Sequence, residues 1–434
     1  MKKSLLAIVL LILFGASVYL FKTDFRLVKK LVGYNVPDLT TPPEVTSIQR
    51  GGLDFLSVPD GFSVSVVAKE LTGPRVIEFD SAGRMLVSET KAGRVSVLED
   101  KDKNGNLETK SALIENLRSP HGLAFYKENN LTYLYIAETH QVTRYLYDIG
   151  TGMLKNNTGQ NITNLPADGN HFTRTISFGP NFRETPLLPG KRGDDTLTDI
   201  KLYISVGSSC DVCVEDTTWK RAAILESDPT GTYTAEFAGG LRNSVFFTFH
   251  PVTKEIWATD MGRDNLGDNL PPDEVNIVKV AGPEDKFGAK RYGWPFCYGN
   301  KVKDSKFNPD KVERIDISTD CGQTEAAAIE LPAHSAPLGL AFITSGKWPG
   351  QWKNDLLVAY HGSWNRSEPT GYKIVRFKVD KDGKVSEVSD FITGWLSADK
   401  KNVYGRPVDL KFGPDGALYV SDDAAGVIYR VNLL

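Results

Sequence analysis

The stretch Arg406–Leu433, RPVDLKFGPDGALYVSDDAAGVIYRVNL, contains the unit that decides the fold. A short apolar strand ends in a phenylalanine, a Gly-Pro-Asp-Gly turn follows, and a second strand reads Leu-Tyr-Val-Ser-Asp. After a loop, a third strand rich in Ile and Val completes the unit. Short apolar runs bounded by Gly, Pro and Asp are typical of antiparallel strands joined by tight turns.

Five further copies of this unit precede it along the chain. They begin at Pro74, Pro120, Phe172, Gly240 and Pro337. Six copies of a three- to four-stranded antiparallel unit predict an all-β fold, a six-bladed β-propeller over residues 56–434. A pair of β-sandwiches is the alternative, but it does not explain one motif recurring six times. We conjecture that the strand Phe62–Ala68 adds an outer strand to the last blade and closes the ring.

The composition suits this fold and excludes one class of partner. The 434 residues are 41% hydrophobic and 24% charged, so the chain can bury a large core. Its 39 glycines and 23 prolines indicate a β protein with many turns. A net charge of −3 offers no electrostatic basis for binding nucleic acid.

The first 22 residues predict a signal peptide or membrane anchor. Lys2 and Lys3 precede the apolar run Ser4–Phe21, which is long enough to span a bilayer. We favour an uncleaved anchor at residues 4–21 over a cleaved signal, because the sequence stays apolar beyond the small residues Gly15-Ala16-Ser17. Residues 23–55 are interpreted as a linker. Both alternatives predict an extracytoplasmic protein in the periplasm, and the uncleaved form would also be anchored to the inner membrane by residues 4–21.

Four cysteines agree with an oxidising compartment. Cys297 and Cys321 flank an irregular segment and are expected to staple it. Cys210 and Cys213 form Cys-Asp-Val-Cys, where a small disulfide loop is favoured over a metal site, since no second pair follows at zinc spacing.

The fourth copy combines the repeated unit with a charged rim. The stretch Gly240–Asn276 reads GLRNSVFFTFHPVTKEIWATDMGRDNLGDNLPPDEVN. Its apolar runs Ser244–Phe249 and Glu255–Thr259 predict an antiparallel hairpin. Because the two ends of a hairpin meet at one edge, Arg242-Asn243 is expected to face the acidic loop Asp260–Asp268.

Applied to all six copies, this geometry collects polar residues around one mouth of the central channel. At the starts of the inner strands these are Arg75, His121, His171 or Arg174, Arg242, Asn243 and Arg406. At the ends of the second strands they are Glu89, Glu138, Ser208, Ser209, Asp260–Asp264, His361–Arg366, Asp422 and Asp423. Several guanidinium groups together favour a polyanionic ligand, because arginine offers planar, paired donors to carboxylates. The alternative is that these arginines bridge neighbouring blades to acidic partners.

Two residues of the mouth are singled out by their chemistry. His121 stands in Ser-Pro-His-Gly, beside a glycine expected to let a ligand approach, and a neutral imidazole there is a candidate base for a substrate hydroxyl. A structural histidine bonded to a neighbouring loop is the alternative. Trp364 is a candidate platform for a planar ring, against the alternative of a rigid surface turn. The remaining histidines interpreted as structural are His140, His250 and His334.

Two acidic runs are candidate calcium sites. The loop Asp260–Asp268 offers carboxylates and backbone carbonyls, which suit Ca²⁺. The run Asp100–Glu108 has ligand types and a glycine at calcium-loop spacing, but Ser111 stands at the twelfth position and no flanking helices are evident. A solvated hairpin turn is the favoured interpretation of the second run.

Two insertions interrupt the repeat. Asn181–Thr198 falls inside the first hairpin of blade three and is expected on the face opposite the mouth. Ala281–Ser335 is interpreted as a connection between blades four and five that returns to the mouth and forms one side of it.

Six motifs together resemble the glucose/sorbosone dehydrogenase family: SPHGLAF, GLRNSVFF, DMGRDNLGDNLPPDEVN, YGWPFCYG, HGSWNR and GRPVDLKFGPDGALYVSD. They occur in family order between Gly61 and Leu434, and HGSWNR is most similar to the sorbosone and pyranose dehydrogenase branch. These are quinoproteins that use pyrroloquinoline quinone (PQQ) and Ca²⁺ on a six-bladed propeller. The resemblance therefore implies that fold and both cofactors for this chain.

The resemblance also implies residue roles. His121 matches the base that takes the proton from the sugar hydroxyl as hydride passes to PQQ, and Arg242 and Asn243 match the pair beside the reactive quinone oxygen. The expected metal set is the backbone carbonyls of Gly262 and Arg263, together with Asp264. The resemblance also matches Arg406 to a cation serving a PQQ carboxylate. Arg75, His361 and Arg366, taken from the mouth itself, complete the expected cofactor-binding set.

Met261 is a departure from the family pattern. It stands where the family often has an amide side chain, and a thioether is a poor ligand for a hard cation. The metal is therefore expected to rely on backbone carbonyls and Asp264.

The expected function is PQQ- and Ca²⁺-dependent oxidation of a sugar or a related alcohol or aldehyde hydrate. Electrons would pass to an external acceptor such as a quinone or a cytochrome. A Ca²⁺-dependent propeller lactonase is one alternative, but it would need carboxylate ligands down the channel, and the cationic mouth argues against it. A non-catalytic propeller that binds a protein or glycan is the other, and Met261 leaves it open.

Overall fold

The computed structural model describes residues 52–102, 104–183, 200–283, 285, 288–313 and 318–434. These residues form six main sheets arranged as the blades of an all-β propeller, which confirms the predicted fold. The signal or anchor segment and residues 23–51 of the linker lie outside the described residues. Among the residues described, no helix is long and apolar enough to span a bilayer. The described residues include three single 3₁₀ turns, Thr90–Ala92, Cys321–Gln323 and Gly350–Trp352.

In the first three blades the strands follow one another in chain order from the innermost outward. Blade one contains Pro74–Phe79, Met85–Glu89, Arg94–Glu99 and Thr109–Ile114. Blade two contains Leu123–Glu128, Leu131–Glu138, Gln141–Asp148 and Gln160–Asn164, with the short strand Met153–Leu154 beside the third. Blade three contains Ile176–Pro180, Ile200–Val206, Ala223–Ser227 and Thr234–Gly239.

The last three blades follow the same plan. Blade four contains Phe247–Phe249, Ile256–Asp260, Asp273–Val278 and Ile329–Leu331. Blade five contains Pro337–Phe342, Leu356–Tyr360, Lys373–Val379 and Val385–Ile392. Blade six contains Pro407–Phe412, Leu418–Asp422 and Val427–Leu433, and its outer strand is Phe62–Ala68.

The outer strand of blade six closes the ring, as conjectured from the sequence. Phe62–Ala68 pairs antiparallel with Val427–Leu433, so the first described strand is fastened to the last. Phe62 also packs against the rings of Trp348, Trp352 and Phe391.

The second strands are buried along their whole length in blades one, four, five and six. Neighbouring blades pack against both faces of these sheets, so every side chain of the strand faces a core. This explains why the repeated Leu-Tyr-Val-Ser-Asp segment lacks the alternation of a half-exposed strand.

Glycine at the third residue of two copies allows inner strands to approach closely. A Cβ on Gly122 would lie 2.6 Å from the Arg174 carbonyl oxygen, and one on Gly339 would lie 2.4 Å from the Val408 carbonyl oxygen. A side chain at either position would push neighbouring blades apart. The expectation that Gly122 lets a ligand approach is therefore wrong: the space beside Gly122 is filled by the backbone of blade three at Arg174.

The second insertion lies elsewhere than predicted. Because Ile329–Leu331 is the outer strand of blade four, Ala281–Ser335 begins within that blade rather than between blades four and five. Its strand Lys290–Arg291 runs parallel to the outer strand of blade three, which carries it back to the mouth. The sequence missed the outer strand because three residues give no periodic pattern. Residues 184–198 of the first insertion lie outside the described residues.

Both predicted disulfides form, between Cys210 and Cys213 and between Cys297 and Cys321. The second staples the insertion around the small hairpin of Cys297–Tyr298 and Val302–Lys303. The first closes a four-residue ring at the mouth.

Candidate active site

The acidic residue that ends the second strand is structural in four blades. Its carboxylate accepts hydrogen bonds from backbone N–H groups of the segment that leads into the inner strand of the same blade. The pairs are Thr72 to Glu89 (2.7 Å), Arg118 to Glu138 (2.5 Å), Arg242 and Asn243 to Asp260 (2.9 and 2.6 Å), and Arg406 to Asp422 (2.9 Å). These bonds confirm that Arg242-Asn243 faces the loop beginning at Asp260. Four of the acids predicted at the mouth, Glu89, Glu138, Asp260 and Asp422, are therefore bonded to backbone donors.

Asp423 joins three of the predicted cofactor residues into one cluster. Its Oδ2 lies 2.6 Å from Arg75 Nη1, and its Oδ1 lies 2.8 Å from His361 Nε2. Arg406 Nε donates to the His361 carbonyl at 2.9 Å, and its Nη2 donates to the Gly362 carbonyl at 2.5 Å. Burial and the Arg406 charge lower the pKa of His361 to about 4, so its imidazole is neutral at pH 7. Blades one, five and six thus meet at this point of the mouth.

His121 is fully buried between blades two and three. Its Nδ1 lies 3.3 Å from Thr175 Oγ1, and that hydroxyl donates its proton to the Val245 carbonyl. The hydroxyl can therefore only accept from His121, which places the ring proton on Nδ1. Nε2 then carries a lone pair, and it has no hydrogen-bond partner among the described residues. Burial and the Arg75 charge hold the pKa of His121 well below 6.5.

Arg242 is held from two sides. Its Nε and Nη2 donate to the carbonyl and to Oδ1 of Asp211, both at 2.9 Å, and its Nη1 donates to the Met261 carbonyl at 3.2 Å. Asn243 Nδ2 lies 3.7 Å from Met261 Sδ. The sulfur therefore faces an amide donor, and the rest of Met261 packs against the apolar core.

The predicted metal residues follow Met261 in the same loop. Gly262 N–H donates to Asp273 Oδ1 at 2.9 Å, and a Cβ at Gly262 would lie 2.8 Å from the Pro272 carbonyl. Arg263 turns its guanidinium to Asp304 of the insertion, at 2.8 Å. Asp264 accepts from Asn365 Nδ2, and its Oδ2 lies 3.6 Å from Arg242 Nη2. The hard donors of this segment are thus one carboxylate and the backbone carbonyls.

Other predicted mouth residues hold loops in place. Arg174 donates to the backbone carbonyls of Pro166, His171 and Thr173, and burial lowers its pKa to about 9. His171 Nδ1 lies 2.8 Å from the Ser208 carbonyl. Arg366 donates to carbonyls of Asp268 and Ala333, which ties the blade-five loop to that of blade four.

The run Asp100–Glu108 lies in a turn, as favoured from the sequence, and the carboxylates of Asp100, Asp102 and Glu108 lie within 4.8 Å of one another, a spacing that also suits a cation. It joins the third and outer strands of blade one, away from the mouth, and is mostly exposed. Asp100 accepts from the N–H groups of Asn104 and Gly105, which closes the turn.

Two residues of the site were not singled out from the sequence. Thr175 sets the tautomer of His121, yet a lone threonine in a strand gives no signal. Asp211 contacts Arg242 and residues 262–268, here called the metal loop, through the Asp264 N–H. Its position inside Cys-Asp-Val-Cys was the available signal, because a disulfide ring restricts the backbone of the residues that it encloses.

The residues present fit an anionic, planar ligand such as PQQ. Arg75 Nε and His121 Nε2 are both buried without a hydrogen-bond partner among the described residues. Arg75, Arg242 and Arg406 supply guanidinium groups from three blades of one rim. Arg75 and Arg242 also pair with acids of neighbouring blades, Asp423 and Asp211, as the bridging alternative predicts. A calcium ion fits Asp264 and the carbonyls beside it, since oxygen donors suit that ion.

The protein is a six-bladed propeller, and the mouth of its channel combines guanidinium groups with a buried neutral imidazole. A mouth of this composition suits an anionic ligand. The chain belongs to the TrAA12-like family, whose model matches residues 56–433. This agrees with the resemblance seen in its motifs.

The curated relatives of the chain include one uncharacterized protein and two proteins named as PQQ-dependent dehydrogenases. An uncharacterized protein of Borreliella burgdorferi is 37% identical over 233 residues, 53% of this chain and 57% of that protein. A PQQ-dependent pyranose dehydrogenase of Coprinopsis cinerea is 27% identical over 87% of this chain and 54% of the enzyme. A PQQ-dependent sugar dehydrogenase of Hypocrea jecorina is 24% identical over 85% of this chain and 87% of the enzyme. The chain thus spans little more than half the length of the first two relatives.

Among solved structures, a Trichoderma reesei carbohydrate-active enzyme of family AA12 superposes with a TM-score of 0.68. It is 23% identical, and the match covers 87% of this chain and 98% of that one. At this identity the likeness establishes the fold.

Proposed function

We propose that this protein oxidises a sugar, or a related alcohol or aldehyde hydrate, with PQQ and Ca²⁺ as cofactors. The observation that carries the proposal is His121 Nε2, a buried nitrogen whose lone pair has no hydrogen-bond partner among the described residues. The charges of Arg75 and Asp423 both act on the pKa of this imidazole. The relatives named as PQQ-dependent pyranose and sugar dehydrogenases support it.

In this proposal the arginines of the rim bind the carboxylates of PQQ. Arg75 and Arg406 are oriented by Asp423 and by the backbone of the His361-Gly362 turn, so their guanidinium groups are ordered before the ligand arrives. His361 completes this side, and Arg366 holds the loop that carries it. Arg242 and Asn243 lie opposite, where Arg242 would stabilise negative charge that develops on a quinone oxygen.

His121 acts as the base. Its Nε2 takes the proton of the substrate hydroxyl, and the electron pair of the neighbouring C–H bond leaves as hydride, which makes the carbinol carbon a carbonyl. Bound PQQ supplies the two-electron acceptor for that hydride. The Nδ1 proton stays on His121 and is donated to Thr175 Oγ1, so the imidazolium that forms keeps its orientation.

The metal would be held by Asp264 and the carbonyls of Gly262 and Arg263. A cation there would polarise a quinone carbonyl as a Lewis acid. Met261 contributes no oxygen, so we expect a weaker site than one with an amide side chain at this position.

The electrons would then pass to an external acceptor, a quinone or a cytochrome. We also propose an extracytoplasmic, periplasmic location, with residues 4–21 as the anchor. The disulfides Cys210–Cys213 and Cys297–Cys321 support an oxidising compartment.

The proposal is tested by titrating the purified protein with PQQ in saturating Ca²⁺. PQQ absorbance reports binding, and dye reduction by a panel of aldoses reports turnover. We expect saturable binding, its loss on chelation, and aldose-dependent reduction. Absence of PQQ binding would overturn the proposal and favour a binding propeller, whereas hydrolysis of lactones without PQQ would favour the lactonase. His121→Ala should abolish turnover and retain PQQ binding.

A further inference from the structure

Asp211 contacts three separate parts of the mouth. Its carbonyl accepts from Arg242 Nε at 2.9 Å and from Trp294 Nε1 of the insertion at 3.3 Å. Its Oδ1 accepts from Arg242 Nη2 at 2.9 Å and from the Asp264 N–H at 2.7 Å. One residue of blade three therefore bonds to the guanidinium, to the metal loop and to the insertion.

The backbone around Asp211 is constrained by a covalent ring. The disulfide joins Cys210 and Cys213, which enclose only Asp211 and Val212. Ser208 Oγ donates to the Cys210 carbonyl at 2.7 Å, and Ser209 Oγ lies 3.7 Å from Cys213 Sγ. The ring is thus fastened to the end of the second strand of blade three.

We propose that Asp211 is a positioning residue for the PQQ and metal site, and that the Cys210–Cys213 ring exists to hold it. The proposal rests on the proposed function. Because Asp211 Oδ1 bonds to both Arg242 and the Asp264 N–H, it sets the distance between the group that faces the quinone and the segment that holds the metal. Asp211 itself is not assigned contact with substrate or cofactor.

The chemistry of the contacts suits orientation. A guanidinium with two donors satisfied on one carboxylate-bearing residue cannot rotate without breaking both bonds, and bonds of this charged type are stronger than neutral ones. Without Asp211, Arg242 would retain the Met261 carbonyl at 3.2 Å and Asp264 at 3.6 Å. Those partners would draw the guanidinium onto the metal ligand and lower the affinity of the loop for a cation.

The test compares Asp211→Ala with Asp211→Asn. The asparagine keeps a side-chain oxygen that can accept from both Arg242 and the Asp264 N–H, whereas alanine removes it. We expect Asp211→Ala to raise the Kd for PQQ in Ca²⁺ by about tenfold or more, as loss of charged hydrogen bonds does. Asp211→Asn should restore part of the affinity, because it keeps the acceptor oxygen but not the charge. Asp216→Ala, an exposed acid in the same loop, is the matched control for lost charge.

Hydrogen exchange of the cofactor-free protein supplies a readout that does not depend on the proposed function. The amides of residues 262–268 should exchange faster in Asp211→Ala and in Cys210→Ser/Cys213→Ser, and at the wild-type rate in Asp216→Ala. Unchanged exchange in Asp211→Ala would overturn the proposal. If wild type binds no PQQ but exchange rises as expected, the proposed function fails while the positioning role stands. Equal losses of PQQ affinity in the alanine and asparagine variants would contradict it.

Discussion

A hydroxyl fixes the candidate base in its useful tautomer. Thr175 Oγ1 donates its single proton to the Val245 carbonyl, so it can only accept a hydrogen bond from His121 Nδ1. The imidazole must then present Nε2 as an acceptor, the form required to take a proton. A neutral hydroxyl partner also leaves the ring less basic than a carboxylate would, which agrees with a pKa well below 6.5.

Replacing Thr175 should therefore lower the rate without weakening cofactor binding. In Thr175→Val the ring loses its Nδ1 partner and both tautomers become accessible, so we expect kcat to fall by about tenfold, the equivalent of one buried hydrogen bond. Thr175→Ser keeps the hydroxyl and should retain most of the activity. Steady-state kinetics at saturating PQQ measures the difference, and equal activity in wild type and Thr175→Val would refute the tautomer argument.

The protonation of His121 gives a second prediction. Its folded-state pKa is lowered, so the ring should stay neutral in the cofactor-free protein as pH falls from 8 through 6.5, and protonate only well below that value. Binding of an anionic cofactor beside Arg75 should raise the pKa, because it opposes the charge that lowers it. NMR of ¹³C-histidine protein, assigned with His121→Asn, measures both. Titration of His121 near pH 6.5 without cofactor would contradict the burial argument.

At the scale of the elements, the repeat combines two devices. The acid at the end of the second strand ties down the entry of the first, as Asp260 does for Arg242 and Asn243. A glycine such as Gly122 lets the neighbouring inner strand pack closely. Both devices fix where the entry segment lies, and the site residues belong to that segment, so the same repeat builds the scaffold and the rim.

The packing of the closing strand Phe62–Ala68 should contribute strongly to the free energy of unfolding. Phe62 is 7% exposed and packs against three aromatic rings, so Phe62→Ala is expected to lower the free energy of unfolding by about 3–5 kcal/mol. Phe172→Ala, at a side chain 45% exposed, should change it by only about 0.5 kcal/mol. Urea denaturation followed by fluorescence compares the two. Similar midpoints for both variants would show that closure contributes little.

For the whole molecule, the mouth is a property of all six blades together. Arg75, His121, Arg242, His361 and Arg406 come from blades one, two, four, five and six, and Asp211 from blade three. A ligand that contacts the first five of these residues would join both ends of the closed ring. Its binding energy would therefore add to the stability of the entire propeller.

Addition of PQQ and Ca²⁺ should accordingly raise the unfolding temperature of the whole protein in one transition. Ligand at a hundred times its Kd adds about 2.7 kcal/mol to the free energy of unfolding. Differential scanning calorimetry with and without both cofactors measures the shift, and Arg75→Ala should reduce it. A shift confined to part of the transition would place the binding site outside the shared mouth.

The sequence by itself determined the propeller, because six similar copies repeat the turns and apolar strands that define a blade, and one copy predicts the others. It also determined most of the rim, because the starts of the inner strands and the ends of the second strands reach the same face in every copy. The tertiary structure decided which of them are available to a ligand. Glu89, Glu138 and Asp422 are used by backbone donors, while His121 Nε2 and Arg75 Nε are left without partners among the described residues.

The parts that the sequence missed depend on contacts between distant segments. Asp211 bonds to Arg242 and to Asp264 across separations of 31 and 53 residues, and the insertion reaches the mouth by pairing with a blade other than its own. A repeat pattern describes what each copy shares. It carries no record of partners that only one copy has, so the residues that distinguish this site became visible only when the blades were packed together.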